Sequence, residues 1–109
     1  MNLQELFEAK KASVVSFDDL FAALKKHAFQ VTFSNMKSDG ENSVTMKWKN
    51  PEGKGTVRMT ARSDGVYVVP TSGMISLSLG TFPYQSASSM AEAIDEALAA
   101  FAHDLDDLK

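Results

Sequence analysis

The chain has 109 residues, of which 44% are hydrophobic and 23% charged, with a net charge of −3 and no cysteine. That length predicts one domain spanning 1–109 with one modest core, and the missing thiols exclude a disulfide framework and thiolate chemistry. No apolar run approaches the roughly 20 residues of a membrane helix, and Met1 to Lys11 lacks the basic-then-apolar order of a signal peptide, so the expectation is a cytoplasmic protein with no membrane contact.

Leu3, Leu6 and Phe7 follow helical spacing and predict a short helix ending near Lys11. Ser16 then precedes Phe17, Leu20, Phe21, Leu24 and Ala28, a second helical stripe over 17–28. Asp18 and Asp19 fall in its first turn and Lys25, Lys26 and His27 in its last, the polarity that the helix dipole favours.

After Gln30 the apolar period changes from 3.6 to 2. Val31 and Phe33, then Val44, Met46 and Trp48, then Val57, Met59 and Ala61, then Ile75, Leu77 and Leu79 alternate with polar residues, while Val66 to Val69 is apolar on both faces. Ser38-Asp39-Gly40, Asn50-Pro51-Glu52-Gly53, Ser63-Asp64-Gly65 and Pro70-Thr71-Ser72-Gly73 separate these runs as turns. Links this short predict successive antiparallel hairpins, a meander of about five strands. Pro83, which cannot donate to a ladder, marks the end of the sheet, and Phe82 is expected to tuck under the helix that follows.

Met90, Ile94, Ala97, Leu98, Phe101, Leu105 and Leu108 lie on one side of a helix, predicted as one long amphipathic element packed on one face of the sheet. Ser88 or Ser89 is its expected cap, with Glu92 three residues after Ser89. The opposite side carries Glu92, Asp95, Glu96, Asp104, Asp106 and Asp107, the last three at the end where the dipole disfavours acids. The predicted fold class is therefore α+β: one or more N-terminal helices, the meander, and the long C-terminal helix. This order resembles that of several small scaffolds, including secretion-chaperone-like and helix-grip domains, a likeness that implies fold alone.

Charge is distributed unevenly along the chain. Residues 43–62 hold five Lys/Arg against one acid, and residues 63–109 hold one against seven. Strand alternation puts Lys47, Lys49, Arg58 and Arg62 on the sheet face turned away from the helices, with Lys54 at the hairpin tip. These five residues are the candidate partner-binding set. A cationic sheet face can track a phosphate backbone, but single-strand binders also present aromatic platforms, and this face has none unless Tyr67 lies on it. The overall negative charge also opposes a polyanion. A solvated face of Thr, Lys and Arg is the ordinary alternative. Trp48 shares the phase of Val44 and Met46 and reads as core.

No catalytic constellation stands out. His27 sits at a helix end beside Lys25 and Lys26, where capping explains it. His103 and Asp107 share a helix face but supply only two ligands, short of a metal site. Thr71-Ser72-Gly73-Met74 lacks the nucleophile-elbow pattern, and the glycines form no phosphate-binding loop. No cofactor or metal is expected. The leading reading is a small non-enzymatic protein-binding module, an adaptor, inhibitor, immunity-type or chaperone-like protein that also could form a homodimer. The alternative is a nucleic-acid-binding accessory protein using the basic 43–62 hairpin.

Overall fold

A computed structural model describes residues 15–27 and 30–108. The helix expected before Lys11 lies outside the described residues. The first described helix, α1 (Phe17–His27), begins where Ser16 accepts the Asp19 amide on its side-chain oxygen at 3.1 Å, a helix cap. It buries Leu20, Ala23 and Leu24.

The strands follow in order: β1 (Thr32–Ser38), β2 (Ser43–Asn50), β3 (Gly53–Ala61), β4 (Gly65–Ser72), β5 (Ile75–Ser76) and β6 (Gly80–Pro83). All pair antiparallel, in the spatial order β1-β2-β3-β4-β5, with β6 also on β4. The first three turns are those the sequence marks, whereas Pro70, Thr71 and Ser72, expected in a fourth, belong to β4 and the chain turns at Gly73-Met74. At Pro51-Glu52, the side-chain oxygen of Asn50 accepts the amides of both Glu52 and Gly53 at 2.9 Å, an Asx-type closure.

The run from Ile75 to Leu79, expected as one strand, is instead the first half of an interrupted return along β4. Ser72 and Thr71 pair with Ile75 and Ser76, and Val68 to Gly65 pair with Gly80 to Pro83. Between them only single bonds hold the segment, from the Leu77 amide to the Pro70 carbonyl and from the Leu79 amide to the Val68 carbonyl. In an antiparallel strand the N–H and C=O of a residue point to the same neighbour. Pro70 thus offers the return segment a carbonyl but no N–H, and the ladder breaks opposite it. Leu77, expected to face the helices, is 42% exposed, and Ile75 and Leu79 are only half-buried. Phe82 pairs with Val66 and packs against the core edge, and Pro83 ends the sheet.

The long helix, α2 (Ala87–His103), is capped by Ser86, whose side chain accepts the Ser89 amide at 3.1 Å. The cap therefore lies two to three residues earlier than expected. The helix stops at Asp104, whose amide bonds the Ala100 carbonyl, and a short turn of helix, α3 (Leu105–Leu108), follows. The acids expected at one helix end are thus divided, with Asp104 at the C-cap of α2 and Asp106 and Asp107 in the single turn of α3.

Both helices cover one face of the sheet. Leu20, Leu24, Met46, Trp48, Val57, Met59, Val66, Val68, Met90, Ile94 and Leu98 are essentially inaccessible to solvent. Trp48 meets Phe101 edge to face, with ring centroids 6.0 Å apart, and its indole N–H donates to the Thr56 carbonyl at 3.1 Å. Gly53 keeps this corner open, since a Cβ there would lie 2.7 Å from the Leu105 side chain and 3.3 Å from the Trp48 ring.

One member of the expected solvent face is buried. Asp95 is only 2% exposed, and its carboxylate accepts the amides of Val31 at 2.9 Å and of Gln30 at 3.2 Å. The Gln30 and Val31 amides just ahead of β1 are thus received by a carboxylate from α2.

Candidate functional site

Alternation along the strands determines which side chains reach the face opposite the helices. On that face β2 presents Thr45, Lys47 and Lys49, and β3 presents Lys54, Thr56, Arg58 and Thr60. Thr32 and Ser34 of β1 stand beside Lys49 and Lys47. Tyr67, Val69 and Thr71 of β4 stand beside Thr60, Arg58 and Thr56. All five residues of the expected basic set are exposed. Lys54 is not at the hairpin tip but within β3, directly across from Lys49.

The structure divides the five into two groups. At one end Arg58 is held by Asp39 from the β1–β2 turn, Nε to Oδ2 at 3.0 Å, and Asp39 also accepts the Thr45 hydroxyl at 3.0 Å. The Arg62 guanidinium lies 4.0 Å from the centre of the Tyr67 ring, a cation–π stack. The Arg62 carbonyl accepts the Tyr84 hydroxyl at 2.8 Å. Partial burial, reinforced by Asp64, raises the Tyr84 pKa, against the opposing effect of that hydrogen bond. Both arginines are thus engaged, and Tyr67, the aromatic this face does possess, is covered by one of them.

At the other end Lys47, Lys49 and Lys54 line an open groove of about 550 Å³ together with Thr32, Ser34, Thr56 and Gly73. None of the three lysines forms an ion pair with a described residue. Lys49 and Lys54 are a directly opposed cross-strand pair of like charge, an arrangement that destabilises a sheet. The one acid of the hairpin, Glu52, is turned toward the helix side, where its carboxylate meets His103 Nδ1 at 2.8 Å. That contact, with help from Asp104 and Asp107, raises the His103 pKa above its ordinary value. His103 is thereby committed to the hairpin turn rather than to a cluster with the aspartates that follow it.

The far wall of the groove is the β4–β5 turn. Its Ser72 hydroxyl donates to the Lys54 carbonyl at 2.7 Å. Gly73 takes a φ of +62°, and Met74 beside it is fully exposed. A large apolar side chain at the tip of a tight turn, one residue beyond the Gly73 that lines the groove, is not legible in the sequence, because Met74 falls in alternation with Ile75. The facing of Lys37 is not legible either. Asn35 adopts a φ of +55° within a bulge, and this shifts the alternation of β1 so that Lys37 pairs with Thr45 on the cationic face.

A second concavity of about 480 Å³ lies between the β2–β3 turn and α2, lined by Gln30, Asn50, Glu52, Glu96 and His103 among others. Its ionisable groups are the engaged Glu52–His103 pair and Glu96. No group of three potential metal ligands occurs among the described residues, and no helix among them is long and apolar enough to cross a membrane. The sequence matches no protein-family model, no curated protein and no solved structure.

Proposed function

We propose that this protein is a non-enzymatic binding module that docks another protein on the uncovered face of its sheet, centred on Lys47, Lys49 and Lys54. The observation that carries this reading is the opposed Lys49–Lys54 pair, flanked by Lys47, with no described counter-charge. Like charges set across a strand pair weaken the free fold, and a partner that brings carboxylates converts that repulsion into attraction and into faster encounter. The engaged arginines and the covered Tyr67 ring favour a protein surface over nucleic acid, which needs base-stacking platforms or a longer cationic track. The absence of cysteine from the sequence suits work in a reducing compartment such as the cytoplasm.

The test is paired affinity capture from the source organism's lysate, with the wild-type chain and the Lys47→Glu/Lys49→Glu variant as baits. The expected result is a stoichiometric protein on the wild-type bait that is absent from the variant. Identical eluates from both baits, or salt-released nucleic acid on the wild type alone, overturn the reading.

A further inference from the structure

We infer that the groove takes an extended acidic segment of the partner, with carboxylates at alternate positions and an apolar side chain that meets Met74. This rests on the protein-docking reading and adds the chemistry of what docks.

The spacing of the cations carries the first part. Lys47 and Lys49 are two residues apart on one strand face, and a strand rises about 3.4 Å per residue, so their Cα atoms stand about 7 Å apart. An extended segment with acids at positions i and i+2 presents carboxylates at that same interval on one side. Lys54 faces Lys49 across the ladder at the short cross-strand distance, so one carboxylate seated between them is shared by two ammonium groups. Thr32, Ser34 and Thr56 border the groove and supply hydroxyl donors.

The kind of cation carries the second part. Arginine forks match phosphate in bidentate fashion, whereas lysine acts as a mobile point charge. Both arginines of this face are engaged elsewhere. What remains in the groove is a set of three point charges, suited to a run of carboxylates more than to one tightly gripped phosphate. The groove is also more than cationic. Met74 projects wholly into solvent from the turn that forms its wall, and an unbranched thioether adapts to whatever apolar side chain it meets.

The test uses a fluorescent peptide of alternating glutamate and threonine ending in leucine, read by anisotropy against the full chain. Two control peptides carry glutamine for glutamate, or serine for the final leucine. A thymidine oligonucleotide is the fourth probe. The expected result is binding of the acidic peptide that falls with added salt, disappears for the glutamine peptide, and weakens about tenfold in Lys49→Gln/Lys54→Gln. Met74→Ser is expected to weaken the leucine peptide and leave the serine peptide unchanged. All these substitutions lie on exposed side chains, and a matching thermal midpoint verifies the fold of each variant.

Failure of the wild type to bind the acidic peptide, equal binding of the glutamine peptide, or stronger binding of the oligonucleotide through the same lysines overturns the inference. If the peptide fails while paired capture still yields a protein lost on charge reversal, docking stands and only the acidic-strand assignment falls. If capture shows no difference between the baits, the docking reading itself falls.

Discussion

The two faces of strands β2 and β3 are built from alternate residues of the same hairpin, and they obey opposite rules. On the inner face Val44, Met46, Trp48, Val57 and Met59 are buried, and the indole N–H of Trp48 has its acceptor. On the outer face Lys47, Lys49 and Lys54 are exposed, mutually repulsive and unpaired with any described residue. One face is optimised for the isolated fold, and the other carries an electrostatic debt concentrated at the Lys47–Lys49–Lys54 end. At the other end of the same face both arginines are engaged, and Lys37 alone has no ion pair with a described residue. The difference teaches that stability and recognition are separable in this hairpin, residue by residue.

The largest test of that separation is Trp48→Ala. It removes the edge contact with Phe101 and leaves a cavity beneath Leu105, and it should destabilise the fold by about 4 kcal/mol, measured by denaturant unfolding. Binding through the outer face should survive whatever fraction of Trp48→Ala remains folded. Asp95→Ala comes next. It strands the buried Val31 amide and the adjoining Gln30 amide without their carboxylate, at an expected cost of about 3 kcal/mol. Hydrogen exchange should show faster exchange at Val31 in that variant before the β2–β3 ladder responds. An unchanged midpoint in either variant would mean that the inner face does not dominate stability.

Much of this arrangement was legible in the sequence. The dipole-matched charges of Phe17–His27, the four turn signals and the period-2 runs each report a local rule, and local rules predicted the α+β class and the facing of Lys47, Lys49 and Arg58. What was hidden depends on distance. Asp95 follows a helical stripe that places it among solvent acids, yet it serves amides about 65 positions earlier in the chain. Asp39 reads as a turn residue, and nothing local announces that it holds Arg58. Glu52 looks like the natural counter-ion for Lys49 and Lys54, and only the packing of α2 turns it toward His103. The five cations therefore read as one patch, and the tertiary structure separates them. The break at Leu77 follows from Pro70 on the neighbouring strand, a signal present in the sequence whose effect falls on a different segment.

Smaller changes sharpen the contrast between the two ends of the outer face. Arg58→Ala breaks an exposed ion pair and should cost at most about 1 kcal/mol. Lys49→Thr should act in the opposite direction, because it removes a like-charge cross-strand contact and introduces a β-branched residue suited to a strand. An increase of a few tenths of a kcal/mol is expected at low salt, and it should shrink as salt screens the repulsion. A loss of stability in Lys49→Thr would show that Lys49 is already compensated and would remove the asymmetry between the ends.

The smallest effect concerns the acid that the lysines lack. Glu52 is held by His103, an exposed pair whose contact raises the histidine pKa in the folded state. A folded-state pKa above the unfolded one means that the folded protein holds the proton more tightly. The stabilisation is therefore complete below the unfolded value, near 6.5 for a free imidazole, and is lost as pH rises through the folded value. Glu52→Gln removes the largest part of this dependence and leaves the smaller contributions of Asp104 and Asp107, so the difference in thermal midpoint between wild type and variant should be greatest in mild acid and should close in mild base. The same titration bears on the groove. Once His103 is neutral, Glu52 is released from its charged partner and can turn back toward Lys49 and Lys54, so wild-type affinity for the acidic peptide should fall on going from mild acid to mild base, more than it does in Glu52→Gln. If the two chains lose affinity in parallel, Glu52 does not compete for the lysines, and their lack of a counter-charge is a property of the hairpin geometry at every pH.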